Sequence, residues 1–454
     1  MAPEPTNGAI AAYLLLPMLR SFPALALTLL LAACSGSNAA RPHVVLVLVD
    51  QLRADAVAPC MPETYALAQQ GVELTHMRSA APWTYPSVIS LLSGLYPHQH
   101  GADASPAGDE LSLISPDVPL LPRTLRAHGY HAAAFVTNPF LHAWNTAFQG
   151  AFDHCDASFI GDQGARRGHP ELVWTERMYA NTVNAHVQAY YDARELADPE
   201  FTYVHYIDVH GRKEGPEQWR DAPFEPGYQN AARYVDQRIA ELYRYFHARY
   251  AGNLLFVVTS DHGQNLGDDL LVGEGRPWRW RKASLHDFNL RIPFLVLPGN
   301  DVPRVRLDEP CSNIDVTPTL LAWAGLENHA DVPGLSLLGL LRGESALPAR
   351  PLYARNSTNQ RLEEALLVGT RKVVRYERLR VGGEELQRSA CFDLATDPRE
   401  LTPASCASEE LEALLRAAAE AGRIYPATFA APSQDTRDQL EDLGYGGADK
   451  NAGG

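Results

Sequence analysis

The chain has 454 residues, of which 46% are hydrophobic, and a formal net charge of -15 at pH 7. This length and apolar content suffice for one large α/β domain and a smaller module, each with its own core, and they exclude a wholly disordered chain. The acidic excess argues against a nucleic-acid partner, because phosphate binding requires clustered Lys and Arg. An anionic small substrate would need a metal ion or a local basic pocket.

The first 40 residues have the pattern of an export signal followed by a short tether. An apolar run over residues 22–33 ends in small residues directly before Cys34, and residues 31–34 resemble a bacterial lipobox. The run is shorter than the roughly 20 residues that a membrane-spanning helix needs. We therefore expect an exported envelope protein, lipid-anchored through Cys34 at the outer membrane and facing the periplasm. An uncleaved anchor helix and an ordinary signal peptide are the open alternatives.

Apolar, β-branched runs alternate along the chain with segments of helical periodicity. The predicted strands are 43–49, 131–136, 201–207, 254–259 and 292–297, and the predicted helices are 63–70, 121–128, 171–193, 230–250 and 317–324. Such alternation implies crossover connections. It predicts a doubly wound α/β fold over residues 41–334, with a mainly parallel sheet and helices on both faces.

The pattern changes after residue 334. Short strands at 365–368 and 372–376 are followed by an acidic helix at 409–421, which predicts a small antiparallel α+β subdomain over residues 335–446 and a tail over 447–454. Cys391 and Cys406 close a short loop in this region, and an oxidising compartment would permit a disulfide there.

Polar side chains follow three of the predicted strands. Asp50 follows the first strand, and Asp208 follows the third, with His210 two residues later. Asp261 and His262 follow the fourth. Ligands bind beyond the carboxyl ends of parallel strands, and although one strand-end aspartate is often only a helix cap, three converging acids with histidines favour a metal or acid/base site.

Thr84 precedes a proline that suits the first turn of a helix. The free backbone N–H groups at such a helix N-terminus favour an anion. Thr84 could be a helix cap, but its position beside an anion site favours a nucleophile.

Several motifs, in order, resemble landmarks of the sulfatase family, which is part of the alkaline phosphatase superfamily. They lie at residues 49–55, 83–101, 205–210, 260–263, 290–293, 315–320, 391–398 and 443–445. The resemblance implies an alkaline-phosphatase-like fold, with residues 41–334 as the catalytic domain, and a hydrolase that acts on an anionic ester.

Matched positions imply roles for particular residues. The implied catalytic residues are Thr84, His210 and Lys282, and the implied substrate-binding residues are Arg281 and His286. The implied ligands of one divalent ion, Ca²⁺, Mn²⁺ or Zn²⁺, are Asp50, Thr84, Asp261 and His262.

The nucleophile motif departs from that of typical sulfatases, which carry a Cys or Ser that matures to formylglycine. Thr84 is a secondary alcohol whose oxidation would give a ketone, so the aldehyde-hydrate mechanism is excluded. Gln51 replaces a second aspartate and Val88 an arginine, and the loss of that aspartate removes one anionic ligand.

A threonine nucleophile implies an ester intermediate that water or another acceptor must clear. The sequence therefore predicts a metal-dependent hydrolase that cleaves a sulfate or phosphate ester through a covalent Thr84 intermediate. A phosphoethanolamine- or phosphoglycerol-type transferase and a non-catalytic binding lipoprotein of the same fold remain alternatives.

Overall fold

The computed structural model describes residues 40–103, 110–141, 146–159, 179–196, 199–210, 226–266, 284–357, 362–381, 384–402 and 409–431. The described residues from Arg41 onward belong to one compact unit. The described strands are β1 (His43–Val49), β2 (Val72–Leu74), β3 (Met77–Arg78), β4 (Leu111–Leu113), β5 (His131–Val136), β6 (His154–Asp156), β7 (Glu200–Tyr206), β8 (Leu254–Thr259), β9 (Phe294–Leu297), β10 (Val305–Leu307), β11 (Cys311–Ser312), β12 (Leu352–Asn356), β13 (Leu362–Val368), β14 (Arg371–Val381), β15 (Glu384–Asp393) and β16 (Thr428–Ala430).

The described α-helices are α1 (Val57–Cys60), α2 (Pro62–Ala68), α3 (Thr84–Ser93), α4 (Pro97–His100), α5 (Leu121–Ala127), α6 (Thr146–Gln149), α7 (Ala180–Asp192), α8 (Pro226–Arg249), α9 (Asp287–Leu290), α10 (Val316–Trp323), α11 (Leu338–Leu341) and α12 (Glu409–Glu420). Short 3-10 helices lie at Ala54–Ala56, Pro139–Leu141 and Asn313–Asp315. Each predicted helix corresponds to an observed one with shifted ends. The helix predicted over 171–193 begins at Ala180 in the described part, and α8 begins four residues earlier than predicted, at Pro226.

The main sheet has eight strands in the order β10-β2-β9-β8-β1-β7-β5-β6. All neighbouring pairs are parallel except those of β9, which is antiparallel to both β8 and β2. The predicted α/β fold with a mainly parallel sheet is confirmed. The apolar run of β9 resembles the other strands in sequence because burial on both faces selects the same residues whichever way a strand runs.

Helices cover both faces of the sheet, as the alternation of side chains along β1 shows. Val44, Leu46 and Leu48 point into a core shared with α3, α5 and α10. Val45, Val47 and Val49 point into a second core shared with α1, α2, α7 and α8. This two-sided burial follows from the two-residue period of a strand.

Strands β12–β15 form a separate, fully antiparallel sheet near the C-terminus. One face packs on α12 through Leu411 and Leu415, and the other packs on Leu285 and Leu290 beside the main domain. The predicted antiparallel region is confirmed, with strands longer than expected. Its boundaries at 334 and 446 stay predictions.

Cys60, Cys155 and Cys311 are free thiols, whereas Cys391 is disulfide-bonded. Cys406 and Cys34 lie outside the described residues, so the expected loop closure and lipid attachment stay predictions. Within the described part of the chain, no helix is both long and apolar enough to cross a membrane.

Candidate active site

Two neighbouring parallel strands bring the candidate acids together. β1 and β8 pair with Leu48 opposite Thr259, so Asp50 and Asp261 both follow the carboxyl ends of these strands. The exposed fraction of each acid is 0% and that of His262 is 2%. One ligand atom from each of these three residues lies within 4.8 Å of the other two. The described residues therefore contain a candidate metal centre made of three of the four predicted ligands.

Asp50 is held through one of its two carboxylate oxygens. Its Oδ2 accepts hydrogen bonds from Asn138 Nδ2 at 2.7 Å, His205 Nε2 at 3.3 Å and Thr84 Oγ1 at 3.4 Å. Its Oδ1 is buried without a hydrogen-bond partner. The side chain is thus oriented by protein donors while one oxygen remains available to a ligand.

Asp261 has the same division between its two oxygens. Its Oδ1 accepts from the backbone N–H groups of Gln51 at 3.0 Å and His262 at 2.8 Å, and its Oδ2 is buried without a hydrogen-bond partner. Gln51 reaches this carboxylate from a left-handed backbone, with φ of 61°. Since non-glycine residues seldom adopt that conformation, the loop after β1 is shaped around Asp261.

The ring of His262 is fixed by its neighbour. Its Nδ1 lies 2.7 Å from the carbonyl oxygen of Gly263, and because a carbonyl can only accept, Nδ1 carries the proton. Nε2 is buried, makes no hydrogen bond and lies 3.5 Å from Asp261 Oδ2, where an unprotonated nitrogen would present its lone pair to a metal ion. A backbone carbonyl that sets the tautomer in this way is a common support for a metal-ligating histidine.

The electrostatics of the two acids fit a cation. Burial opposes ionisation of Asp50, but His210, His205 and His262 outweigh it and hold its pKa well below its ordinary value. Burial and the negative charge of Asp50 raise the pKa of Asp261. Two buried carboxylates repel each other, and each has one oxygen that makes no hydrogen bond, as does Nε2 of His262. A divalent ion satisfies this combination of charge and donor atoms.

Helix α3 places Thr84 beside this cluster. The helix begins at Thr84, whose exposed fraction is 0%, after an extended Trp83. Ser87, one turn later, donates a 2.5 Å hydrogen bond from Oγ to the carbonyl oxygen of Asp261 and accepts one from Asn313 Nδ2 at 3.0 Å. Ser87 therefore ties α3 to the Asp261 loop.

Asp208 has a different role from Asp50 and Asp261. Its Oδ1 accepts a 3.2 Å hydrogen bond from the backbone N–H of Ala180, the first residue of α7. Among the described residues the metal-ligand cluster does not include it, so the expectation that three strand-end acids converge is wrong for Asp208. The turn after β7 directs its side chain to the helix N-terminus.

His210, in that same turn, is 1% exposed, and it is among the groups that lower the pKa of Asp50. His286 precedes α9, where its ring stacks on Phe288 at 5.4 Å and meets Phe392 edge-on at 5.8 Å, toward the C-terminal sheet. Lys282 and Arg281 lie outside the described residues. The catalytic and substrate-binding roles of all four residues stay predictions.

Two residues that orient Asp50 were not predicted from the sequence. Asn138 lies two residues beyond the end of β5, and His205 is near the carboxyl end of β7. His205 is further held by Tyr203, whose hydroxyl lies 2.9 Å from its Nδ1. The strand-end rule that selected Asp50 could have found both, because β5 and β7 end at the same edge of the sheet.

A mainly parallel sheet that places a buried Asp/Asp/His cluster and a helix N-terminus at its carboxyl edge defines an α/β protein with a candidate metal centre. The family model described as Sulfatase matches residues 42–326. The chain belongs to the sulfatase family, as the motifs predicted.

Similar proteins include enzymes named for sulfate and for phosphonate esters. The chain is 31% identical to the choline-sulfatase of Rhizobium meliloti over 37% of this chain and 30% of that protein, so this match spans under a third of the relative's length. It is 22% identical to the Delta 4,5-hexuronate-2-O-sulfatase of Bacteroides thetaiotaomicron, in a match that covers 82% of this chain and 86% of that protein. The solved structure of the phosphonate monoester hydrolase of Agrobacterium radiobacter has the same fold, with a TM-score of 0.61 and 17% sequence identity. The match covers 83% of this chain and 94% of that protein.

Proposed function

We propose that this protein is a metal-dependent hydrolase that cleaves a sulfate or phosphate ester through a covalent intermediate on Thr84, without formylglycine. The observation that carries the proposal is the position of Thr84 Oγ1, 3.4 Å from Asp50 Oδ2. The other oxygen of Asp50 makes no hydrogen bond, and Asp50 is a member of the Asp/Asp/His cluster. One carboxylate thus serves both the nucleophile and the cation.

Asp50, Asp261 and His262 would hold one divalent ion together with the hydroxyl of Thr84. Two carboxylates, a hydroxyl and an imidazole suit Mn²⁺, Zn²⁺ or Ca²⁺. When bound, such an ion lowers the pKa of a coordinated hydroxyl and polarises an oxygen of the substrate.

The residues of the chain then have separate tasks. Thr84 releases its hydroxyl proton to water as Oγ1 attacks the sulfur or phosphorus atom and the bond to the alcohol oxygen breaks. The backbone N–H groups of Thr84 and Tyr85 at the start of α3 bind the non-bridging oxygens. His210 protonates the departing alkoxide, and Lys282 neutralises a non-bridging oxygen. Water then attacks the Thr84 ester and restores the hydroxyl, with a histidine as base.

The names of the similar proteins support an anionic ester as substrate. Choline-sulfatase and Delta 4,5-hexuronate-2-O-sulfatase are named for sulfate esters, and the Agrobacterium enzyme is named for phosphonate monoesters. A threonine ester that must be cleared by direct attack at sulfur or phosphorus favours phosphate over sulfate for this chain.

The experiment is a comparison of metal-reloaded wild type with Thr84→Ala on aryl sulfate, phosphate monoester, phosphodiester and phosphonate monoester. We expect phosphoester turnover that falls by about 10³-fold or more in Thr84→Ala, as for removal of a nucleophile in other hydrolases. Thr317→Ala is the matched control, since Thr317 is also buried but donates to the carbonyl of Leu91, two turns along α3 from Thr84.

Mass spectrometry of the acid-quenched reaction should show the Thr84 peptide carrying the transferred group. Efficient sulfate turnover would contradict the preference for phosphate, and transfer to an added alcohol rather than water would favour a transferase. Metal binding without turnover of any ester would favour a binding role.

We also propose that the protein is exported and anchored to the outer membrane through lipid on Cys34, facing the periplasm. The support is the lipobox-like sequence at residues 31–34. Cells grown with a labelled fatty acid should label the wild type and not Cys34→Ser. Equal labelling of both proteins would refute the anchor.

A further inference from the structure

A buried network of charges joins the C-terminal sheet to the main domain at α9. Lys372 Nζ, on β14, lies 2.7 Å from Glu400 Oε1 and 3.1 Å from Asp287 Oδ1. Arg78 Nη2 lies 2.6 Å from Asp287 Oδ2. The exposed fractions of the Lys372 and Glu400 side chains are 2% and 1%. Removing one member of such a buried pair lowers the stability of the folded protein, because the charge of the other member remains buried without a partner.

The turn that carries Glu400 explains the motif at 391–398, which the proposed chemistry does not use. The carboxylate of Asp397 accepts from the backbone N–H groups of Leu401 at 3.0 Å and Thr402 at 2.8 Å. Glu400 has a φ of 55°, a left-handed conformation that costs energy for a residue other than glycine. The turn thus holds Glu400 in a strained backbone that directs its carboxylate into the buried network.

Glu400 also contacts the backbone of α9. Its Oε2 accepts a 2.5 Å hydrogen bond from the N–H of Asp287, the first residue of that helix. This N–H is one of those that a helix leaves without an internal partner. Glu400 therefore holds the start of α9 through the backbone N–H of Asp287 and, by way of Lys372, through the side chain of Asp287.

The other end of α9 packs on the loop that carries His262. The backbone N–H of Gly263 donates to the carbonyl oxygen of Asn289 at 2.6 Å. A Cβ atom added at Gly263 would lie 2.1 Å from the carbonyl oxygen of Phe288, so loop and helix are in direct backbone contact. A shift of α9 would move Gly263, whose carbonyl sets the ring of His262.

We propose that Glu400 is a positioning residue that holds α9, and through it His262, in the geometry that the metal ion requires. The inference rests on the metal-dependent function proposed above. It makes the C-terminal sheet a support of the active site rather than an independent module.

The test compares Glu400→Gln with Glu364→Gln in the full chain. Glu364 is a matched control, because it is also a buried acid and lies on β13, next to the strand that carries Lys372. It pairs with Arg375 and accepts a 2.5 Å hydrogen bond from the hydroxyl of Tyr353. We expect both variants to melt at a lower temperature. Calorimetric titration with Mn²⁺ well below both melting temperatures should show affinity weakened about tenfold in Glu400→Gln, the scale of outer-shell effects on metal sites, and unchanged in Glu364→Gln.

Equal Mn²⁺ affinity in wild type and Glu400→Gln would overturn the proposal, as would an equal loss in both variants. If Glu400→Gln does not fold, Glu400→Asp keeps the charge with a shorter side chain; weakened affinity in that variant supports the proposal and unchanged affinity overturns it. Metal affinity does not require turnover, so a wild type that binds Mn²⁺ but hydrolyses no ester would refute the hydrolase and not this inference.

Discussion

The side-chain amide of Asn138 donates a 2.7 Å hydrogen bond to Oδ2 of Asp50, the shortest of the three that this oxygen accepts. The amide oxygen of Asn138 in turn accepts from the backbone N–H of Phe140 at 3.0 Å. The amide is therefore fixed at both ends. It holds Asp50 through Oδ2 and leaves Oδ1 without a hydrogen-bond partner, so that Oδ1 can bind a ligand.

Asn138→Ala should weaken metal binding, because Asp50 loses its shortest donor and gains rotational freedom. We expect an increase of about 10- to 100-fold in the dissociation constant for Mn²⁺, measured by titration calorimetry. Asn184→Ala is the control, since Asn184 is also buried and fixed at both ends of its amide, but it donates at 2.9 Å to the carbonyl of Arg238 and accepts from the hydroxyl of Tyr206 rather than contacting Asp50. Unchanged affinity in Asn138→Ala would contradict the orienting role.

Asp261→Asn should raise the melting temperature of the metal-free protein. The pKa of Asp261 is raised by burial and by Asp50, so its ionised form is disfavoured in the folded state and removal of the charge relieves the repulsion. The same change removes a ligand. We expect the wild type to gain about 2.7 kcal/mol from metal at 100 times its dissociation constant, and Asp261→Asn to gain little.

Thermal denaturation in chelator and in Mn²⁺ measures both effects. Asp236→Asn is the control, because Asp236 is another buried acid but its carboxylate accepts from the backbone N–H groups of Glu63 at 3.0 Å and Thr64 at 2.7 Å. Burial also raises the pKa of Asp236, so this control is compared in the gain from metal, which should equal that of the wild type. Destabilisation of the metal-free protein by Asp261→Asn would show that repulsion between the two acids is not the dominant effect.

Stability should fall in mild acid because buried histidines must take up protons on unfolding. Burial lowers the pKa of His100 to about 3 and that of His43 to about 4, from 6.5. Both shifts are downward, so the unfolded chain binds the proton first, and stability is lost as the pH falls from about 6.5 toward these values. Between pH 6.5 and 5 the loss from His100 alone is about 2 kcal/mol.

His100→Asn should flatten this pH dependence, measured by urea denaturation at a series of pH values. The histidine accepts from the backbone N–H of Ala102 at 3.0 Å, and its other nitrogen lies 2.9 Å from Ser90 Oγ. Asparagine can supply the acceptor without a titratable group. The same replacement at exposed His247 is the control, and equal slopes in wild type and His100→Asn would refute the assignment.

His210→Ala should impair hydrolysis in a manner that depends on the leaving group. An alkoxide of high pKa needs a proton as it departs, and general acid catalysis contributes roughly 10²- to 10⁴-fold. We expect a loss of that size with alkyl esters and a much smaller loss with nitrophenyl esters, measured as kcat/KM. His98→Ala is the control, since His98 contacts the carbonyl of Ala421 near α12. An equal loss on both substrate classes would argue against proton donation.

The sequence by itself determined the order of the strands and helices in the main domain and predicted that Asp50 and Asp261 lie close together. Continuous apolar runs such as His43–Val49 and Leu254–Thr259 are required for strands buried on both faces, so they are visible without a structure. Asp50 and Asp261 could be predicted as neighbours because parallel strands end at one edge. The local pairing of Arg53 with Asp55, at 2.7 Å, likewise depends only on nearby residues.

Only the tertiary structure decided which polar residues at that edge join the site. Asp50 and Asp208 follow strands in the same way, but one faces Asp261 and the other binds the N-terminus of α7. The supports given by Asn138, Ser87 and Glu400 bridge distant parts of the chain, and no local pattern encodes them. The physical reason is that the pattern of a strand determines where its backbone ends in the sheet. The direction and the partners of the side chain that follows depend on packing between elements remote in sequence.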